Sequence, residues 1–80
     1  MPHMILRLPE VKARTGLSRS SLYNHISQGT FTKQVPIGER SVGWPESEVD
    51  AIVSARIAGQ SDEAIRQLIA KLEAARKKAG

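Results

Sequence analysis

Apolar side chains recur at helical spacing in four blocks of this chain and alternate in a fifth. Leu8, Val11 and Thr15 share one side of a first segment, which Pro9 opens and Gly16 ends. A proline's missing N–H costs nothing in the first turn of a helix. Leu22 and Ile26, at i and i+4, mark the apolar edge of a second helix lying between Ser18 and Gly29. Ser18 is suited to cap it, and glycine tolerates the left-handed conformation past a helix end. Pro45-Glu46-Ser47-Glu48 opens a third helix, whose stripe is Val49, Ile52, Val53 and Ile57 and whose stop is Gly59. Ser61 caps a fourth, of about five turns, with the stripe Ile65, Leu68, Ile69, Leu72 and Ala75. Carboxylates open the last two helices. Lys77-Lys78 lies near the end of the fourth, with the sign that suits the helix dipole.

Period two replaces period 3.6 between the second and third helices. Phe31–Ile37 and Arg40–Trp44 are β-rich runs separated by Gly38-Glu39, and Gly38 with a positive φ would close them into a hairpin. Pro36 lacks a ladder donor and belongs on an edge strand or outside the paired region. Val35 with Ile37, and Val42 with Trp44, give the hairpin one face to lay on the core. Ile5-Leu6-Arg7-Leu8 reads as a few residues of strand. Trp44 and Phe31 read as anchors of the hairpin rather than as stacking platforms, because so small a domain has few large rings for its core.

Two short helices around a glycine turn, with Leu17 plugging the corner, have the proportions of a helix-turn-helix. An αα-hairpin with no role in DNA binding has the same local pattern. The hairpin that follows directly is what a winged helix requires. The fold class is therefore mostly α with a small β-hairpin: a winged helix-turn-helix over residues 5–58, plus a C-terminal helix over 61–78 that either closes the core or oligomerises. The expectation leans towards a contact with another copy, since helices one to three and the wing already offer a core.

The free face of the second helix carries the candidate chemistry. Ser20, Asn24 and Ser27 lie opposite its apolar edge, flanked by Arg19 and Tyr23. Short hydrogen-bonding side chains beside a cation and a phenol suit a groove of DNA, where Asn pairs bidentately with adenine and Arg with guanine. In the hairpin, Lys33 and Arg40 are left for solvent or phosphate.

Charge placement strengthens this reading. The net charge of +4 lies wholly in residues 1–45, where Arg7, Lys12, Arg14, Arg19, Lys33 and Arg40 face only Glu10 and Glu39. Residues 46–80 carry both signs equally. A basic half beside a neutral half is the footprint of phosphate binding, although a merely solvated basic surface has the same composition. Arg76-Lys77-Lys78 reads as a solvated helix end. Met1–His3 reads as an appended segment, with Met4 as the natural start.

Other chemistries find little support. With no cysteine there is no disulfide framework and no thiolate metal site, which fits a cytoplasmic protein. No run approaches the ~18 apolar residues of a membrane span. His3 and His25 have no carboxylate at ligand spacing, the serines lack a partner acid and base, and the glycines form no phosphate-cradling loop. No enzyme activity, cofactor or metal is expected. The alternative to DNA binding is an adaptor that keeps the winged-helix shape and docks a protein through its fourth helix.

Four stretches carry a resemblance. Ile5-Leu6-Arg7-Leu8-Pro9-Glu10-Val11, Arg14–Tyr23, Gly38-Glu39-Arg40-Ser41-Val42-Gly43-Trp44 and Ser47-Glu48-Val49-Asp50-Ala51 resemble, in order, the AlpA family of phage-derived DNA-binding regulators, which are related to excisionases and MerR-type winged helices. The resemblance implies a winged helix with its second helix in the major groove, its wing on the backbone or minor groove, and no catalysis. It also implies a prophage or genomic-island role, as a transcriptional regulator or as a directionality factor for excision. The implied partners are double-stranded DNA, other copies of the chain on DNA, and an integrase. His25 and the long fourth helix depart from the family pattern.

Overall fold

A computed structural model of the chain describes residues 4–79, with side chains to Arg76. The reading of Met1–His3 as appended, and the side chains of Lys77 and Lys78, lie outside the described residues. The elements in order are β1 (Ile5–Leu6), α1 (Leu8–Thr15), α2 (Arg19–Gln28), β2 (Val35–Pro36), β3 (Val42–Pro45), α3 (Glu46–Ile57) and α4 (Asp62–Ala79). Four helices thus surround a small antiparallel sheet in the order β1-β3-β2, as a winged helix requires.

Local signals set the helix ends. Pro9 sits in the first turn of α1, and the Gly16 N–H closes the helix onto the Lys12 carbonyl at 2.8 Å. The Ser18 hydroxyl accepts from the Ser21 N–H at 3.2 Å, and Gly29 at φ 80° turns the chain out of α2. Ser61 caps α4 in the same way, accepting from the Ala64 N–H at 3.2 Å.

The sheet is larger than a hairpin. β3 is its central strand, with Leu6 opposite Trp44 on one side and Pro36 opposite Val42 on the other. Pro36 therefore lies on an edge strand, where its missing donor is harmless. Gly43 allows a close approach of β1 to β3: a Cβ there would collide with the Ile5 side chain and come within 2.8 Å of the Leu6 carbonyl oxygen. Two expectations for the wing need correction. The described glycines with positive φ are 16, 29 and 59, so Gly38 is not among them. Residues 38–40 instead form a wider connection, closed by the Ile37 N–H donating to the Ser41 carbonyl at 2.9 Å, which needs no left-handed residue. Phe31 and Lys33 precede the strand rather than lying in it, and Ile37, past the last paired residue, is 45% exposed.

The core gathers Leu6, Val11, Leu22, Phe31, Trp44, Val49, Ile52, Ala55, Ile65 and Ile69, with Leu17, Ile26, Leu68 and Leu72 packed against it. Trp44 is fully enclosed, and its indole N–H donates to the Thr32 carbonyl at 3.0 Å, which gives the buried donor its partner. Both Ile65 and Ile69 of α4 are buried. The stripe of α4 from Ile65 to Leu72 therefore packs into its own domain and helps close the core. Ile57 is also corrected. It is the last residue of α3 and is 82% exposed, whereas Glu48, Ile52 and Ala55, at i, i+4 and i+7, are buried on a helix that packs against α4.

Candidate nucleic-acid interface

The outer face of α2 is built by its cap and its core contacts. Leu22 is fully buried and Ile26 half-buried, so the helix is rotationally fixed. That rotation leaves Ser20, Asn24 and Ser27, at i, i+4 and i+7, exposed on the opposite side, with Arg19 exposed beside them. Ser20, Asn24 and Ser27 are brought together on one face, and Arg19, about 100° round the helix from Ser20, stands at its flank on the side of Tyr23.

Tyr23 is placed differently. Its ring is half-buried and meets the indole of Trp44 edge-on, with centroids 6.4 Å apart. On its other side the Arg19 guanidinium carbon lies 5.8 Å from the ring centroid, within cation–π reach. Tyr23 thus links α2 to the central strand of the wing and steadies Arg19. Its ring packs against the core, so Tyr23 anchors α2 as well as lying beside the outer face.

Arg40 stands exposed in the 38–40 connection at the wing tip. Lys33 is exposed as well, but at the root of the wing, two residues before β2. Its backbone is held from both sides. The Lys33 N–H donates to Glu73 Oε2 at 2.9 Å, and the Lys33 carbonyl accepts from Arg76 Nη2 at 2.8 Å.

Ion pairing redistributes the charge counted along the sequence. Arg14 is engaged by Glu46 at 2.9 Å and by Asp50 at 3.4 Å, so it contributes less to a positive surface than its position implies. Its hydrogen bond to Glu46 raises the guanidinium above its ordinary pKa, with desolvation acting the other way. Arg76 is not a solvated helix end. It pairs with both oxygens of Glu48, Nε to Oε2 at 2.8 Å and Nη2 to Oε1 at 2.6 Å, and Glu48 is 5% exposed. The hydrogen bond to Glu48 likewise raises the Arg76 pKa, against the opposing effect of desolvation. Stability from a raised basic group is present below its unfolded pKa and lost only as pH climbs through the folded one, here in strong alkali. Glu46 and Glu48 therefore have defined partners beyond the helix dipole.

His25 is half-buried and lies off the exposed face. The Thr30 hydroxyl lies 3.2 Å from the His25 carbonyl and 2.8 Å from His25 Nδ1. The ring is held at the end of α2 by this contact with Thr30. It also lines an apolar groove of about 360 Å³ between the α1–α2 corner and α3, beside Leu17, Phe31, Ile52, Val53 and Ile57. The residues that sequence reasoning missed are Glu73 and Arg66, whose guanidinium donates from Nε to the Gln28 carbonyl at 3.0 Å. No local signal marks them, because their partners are backbone groups about 40 residues away.

Comparison with known families gives a match over residues 4–57 to the family described as "Prophage CP4-57 regulatory protein (AlpA)". That match covers β1 to the end of α3. The chain belongs to the AlpA family. Among AlpA-like relatives, the "Uncharacterized protein ORF88" of Enterobacteria phage P4 is 49% identical over 55 residues, which cover 69% of this chain and 62% of the relative. The chain thus spans about three-fifths of that phage protein. The "DNA-binding transcriptional activator AlpA" of Escherichia coli (strain K12) is 40% identical over 58 residues, covering 65% of this chain and 83% of the relative. No solved structure matches. The AlpA match ends before α4 begins. Among the described residues no helix is long and apolar enough to cross a membrane, and no three His, Cys, Asp or Glu residues converge as a metal site.

Proposed function

We propose that this chain binds double-stranded DNA sequence-specifically and acts as a prophage or genomic-island regulator. The observation that carries the reading is the free face of α2, where Ser20, Asn24 and Ser27 stand exposed, with Arg19 exposed at its flank, on a helix fixed by its own core contacts. Arg19, Ser20 and Asn24 are its base-edge candidates, with the Tyr23 hydroxyl beside them and Ser27 more peripheral. Arg40 and Lys33 supply cations for phosphate or a narrowed minor groove. Membership of a family of regulatory proteins supports the regulatory role, as does a relative named a DNA-binding transcriptional activator. The finer reading is control of an integrase gene or of the direction of recombination, with the integrase as a protein partner in the second case.

Gel shifts of the full chain on random duplex at low and higher salt test DNA binding. Duplex selection from a random pool, followed by footprinting on DNA flanking its own gene and any nearby integrase gene, tests specificity. Binding that survives low salt only, with no sequence recovered by selection, overturns the specific reading.

A further inference from the structure

The connection from α2 to the wing, residues 29–34, has no regular secondary structure, yet its backbone is held by side chains from three directions. The Thr32 carbonyl accepts from the Trp44 indole, the Lys33 N–H donates to Glu73, and the Lys33 carbonyl accepts from Arg76. Three successive polar groups of the backbone are thus gripped, one from β3 and two from α4. Just upstream, Arg66 of α4 takes the Gln28 carbonyl at the end of α2. The α4 grips are hydrogen bonds with an ionised partner, the stronger class. Arg76 is itself fixed by its two-pronged pair with buried Glu48, a geometry a lysine does not reproduce.

From this arrangement we infer that α4 is a brace for DNA reading: Arg66 holds the end of α2 while Glu73 and Arg76 hold the root of the wing, fixing the recognition helix and the wing cations at one spacing. The three are positioning residues, and α4 carries none of the proposed base contacts. The inference rests on the DNA-binding reading for its purpose, but not for its mechanics. It also gives a role to a helix that lies wholly outside the family match. Without the brace, residues 29–34 would be tethered chiefly by Trp44 and the buried Thr30, Phe31 and Thr32, and Lys33 would present its charge from a looser backbone.

The test uses the full chain and two substitutions at Glu73. Glu73→Ala removes the acceptor and leaves the Arg76–Glu48 pair intact, whereas Glu73→Gln keeps an acceptor oxygen. Amide hydrogen exchange without DNA reads the brace directly. Exchange at residues 31–37 should accelerate in Glu73→Ala and return towards the parent rate in Glu73→Gln, with α1 and α3 unchanged. Anisotropy on the selected duplex reads its purpose. Glu73→Ala should weaken binding about three- to tenfold, less than the full worth of one charge-assisted hydrogen bond because Glu73 positions the wing root and does not touch DNA, and should weaken it less in a Lys33→Ala background. Unchanged exchange in Glu73→Ala overturns the brace. Faster exchange with unchanged binding overturns its role in reading. Faster exchange in Glu73→Ala beside a parent that binds no duplex leaves the brace standing and removes the DNA reading instead.

Discussion

The phenol ring of Tyr23 meets the indole of Trp44 edge-on, with centroids 6.4 Å and planes 64° apart. This contact joins the helix proposed to enter the groove to the central strand of the wing. Phe31 makes the same kind of contact with the indole, at 6.4 Å and 66°. Removing Trp44 therefore opens the centre of the molecule. Trp44→Ala should cost about 3–5 kcal/mol, which is most of what a domain this small possesses, and leave the chain largely unfolded by circular dichroism. Tyr23→Phe keeps the ring contact and should melt like the parent. If the hydroxyl addresses a groove, that variant loses affinity for the selected duplex while keeping its melting temperature.

Asn24 separates reading from folding most cleanly. It is exposed at the middle of the outer face of α2, and no core residue depends on it. Asn24→Ala should leave stability unchanged within about 0.5 kcal/mol. It should cost roughly 1–3 kcal/mol on the selected duplex and far less on random DNA. Equal losses on both would show that Asn24 reads no base.

Arg40 at the wing tip should behave in the opposite way. A phosphate contact carries no sequence information, so Arg40→Ala should weaken binding on selected and random duplex alike. The slope of log affinity against log salt should fall by roughly one for the single contact removed. An unchanged slope takes the wing tip out of the interface.

Much of this architecture is legible along the chain because its signals are local. Ser18 and Ser61 announce helix starts, Gly16 and Gly29 announce stops, and the spacing of Val11, Leu22, Val49 and Ile52 orients each helix to the core. The exposed face of α2 follows from the same periodicity. What escapes is set by partners distant in sequence. Glu48 looks like a first-turn carboxylate until Arg76, 28 residues later, folds back to cover it. Ile57 fits the α3 stripe but is exposed, whereas Glu48 and Ala55, off that stripe, are buried. An amphipathic stripe also reads identically whether it covers its own core or a neighbour's, so the place of α4 is fixed only by three-dimensional packing.

That packing makes a definite statement about the whole chain. Ile65 and Ile69 are buried in the shared core, and Leu68 and Leu72 lie against it. The exposed positions of α4 from Asp62 to Ala75 are Asp62, Glu63, Arg66, Gln67, Ala70, Lys71, Ala74 and Ala75, all charged, polar or small. No apolar stripe is left over on these residues for a second copy, so the free chain should sediment as a monomer at micromolar concentration. Ending the chain at Gln60 would uncover what Ile65 and Ile69 cover, where each buried aliphatic side chain is worth about 1.5–3 kcal/mol. It would also leave Glu48 without the guanidinium that pairs it, and breaking a buried pair costs about 3–5 kcal/mol. The sum approaches or exceeds the roughly 5–15 kcal/mol that holds a typical domain together. The shortened chain should therefore show no cooperative melting transition. A shortened chain that melts cooperatively and binds the selected duplex as well as the full chain would remove α4 from the core. A full-length dimer in sedimentation would place a self-association surface elsewhere, with exposed Ile57 at the mouth of the α3 groove the first position to test by Ile57→Ser.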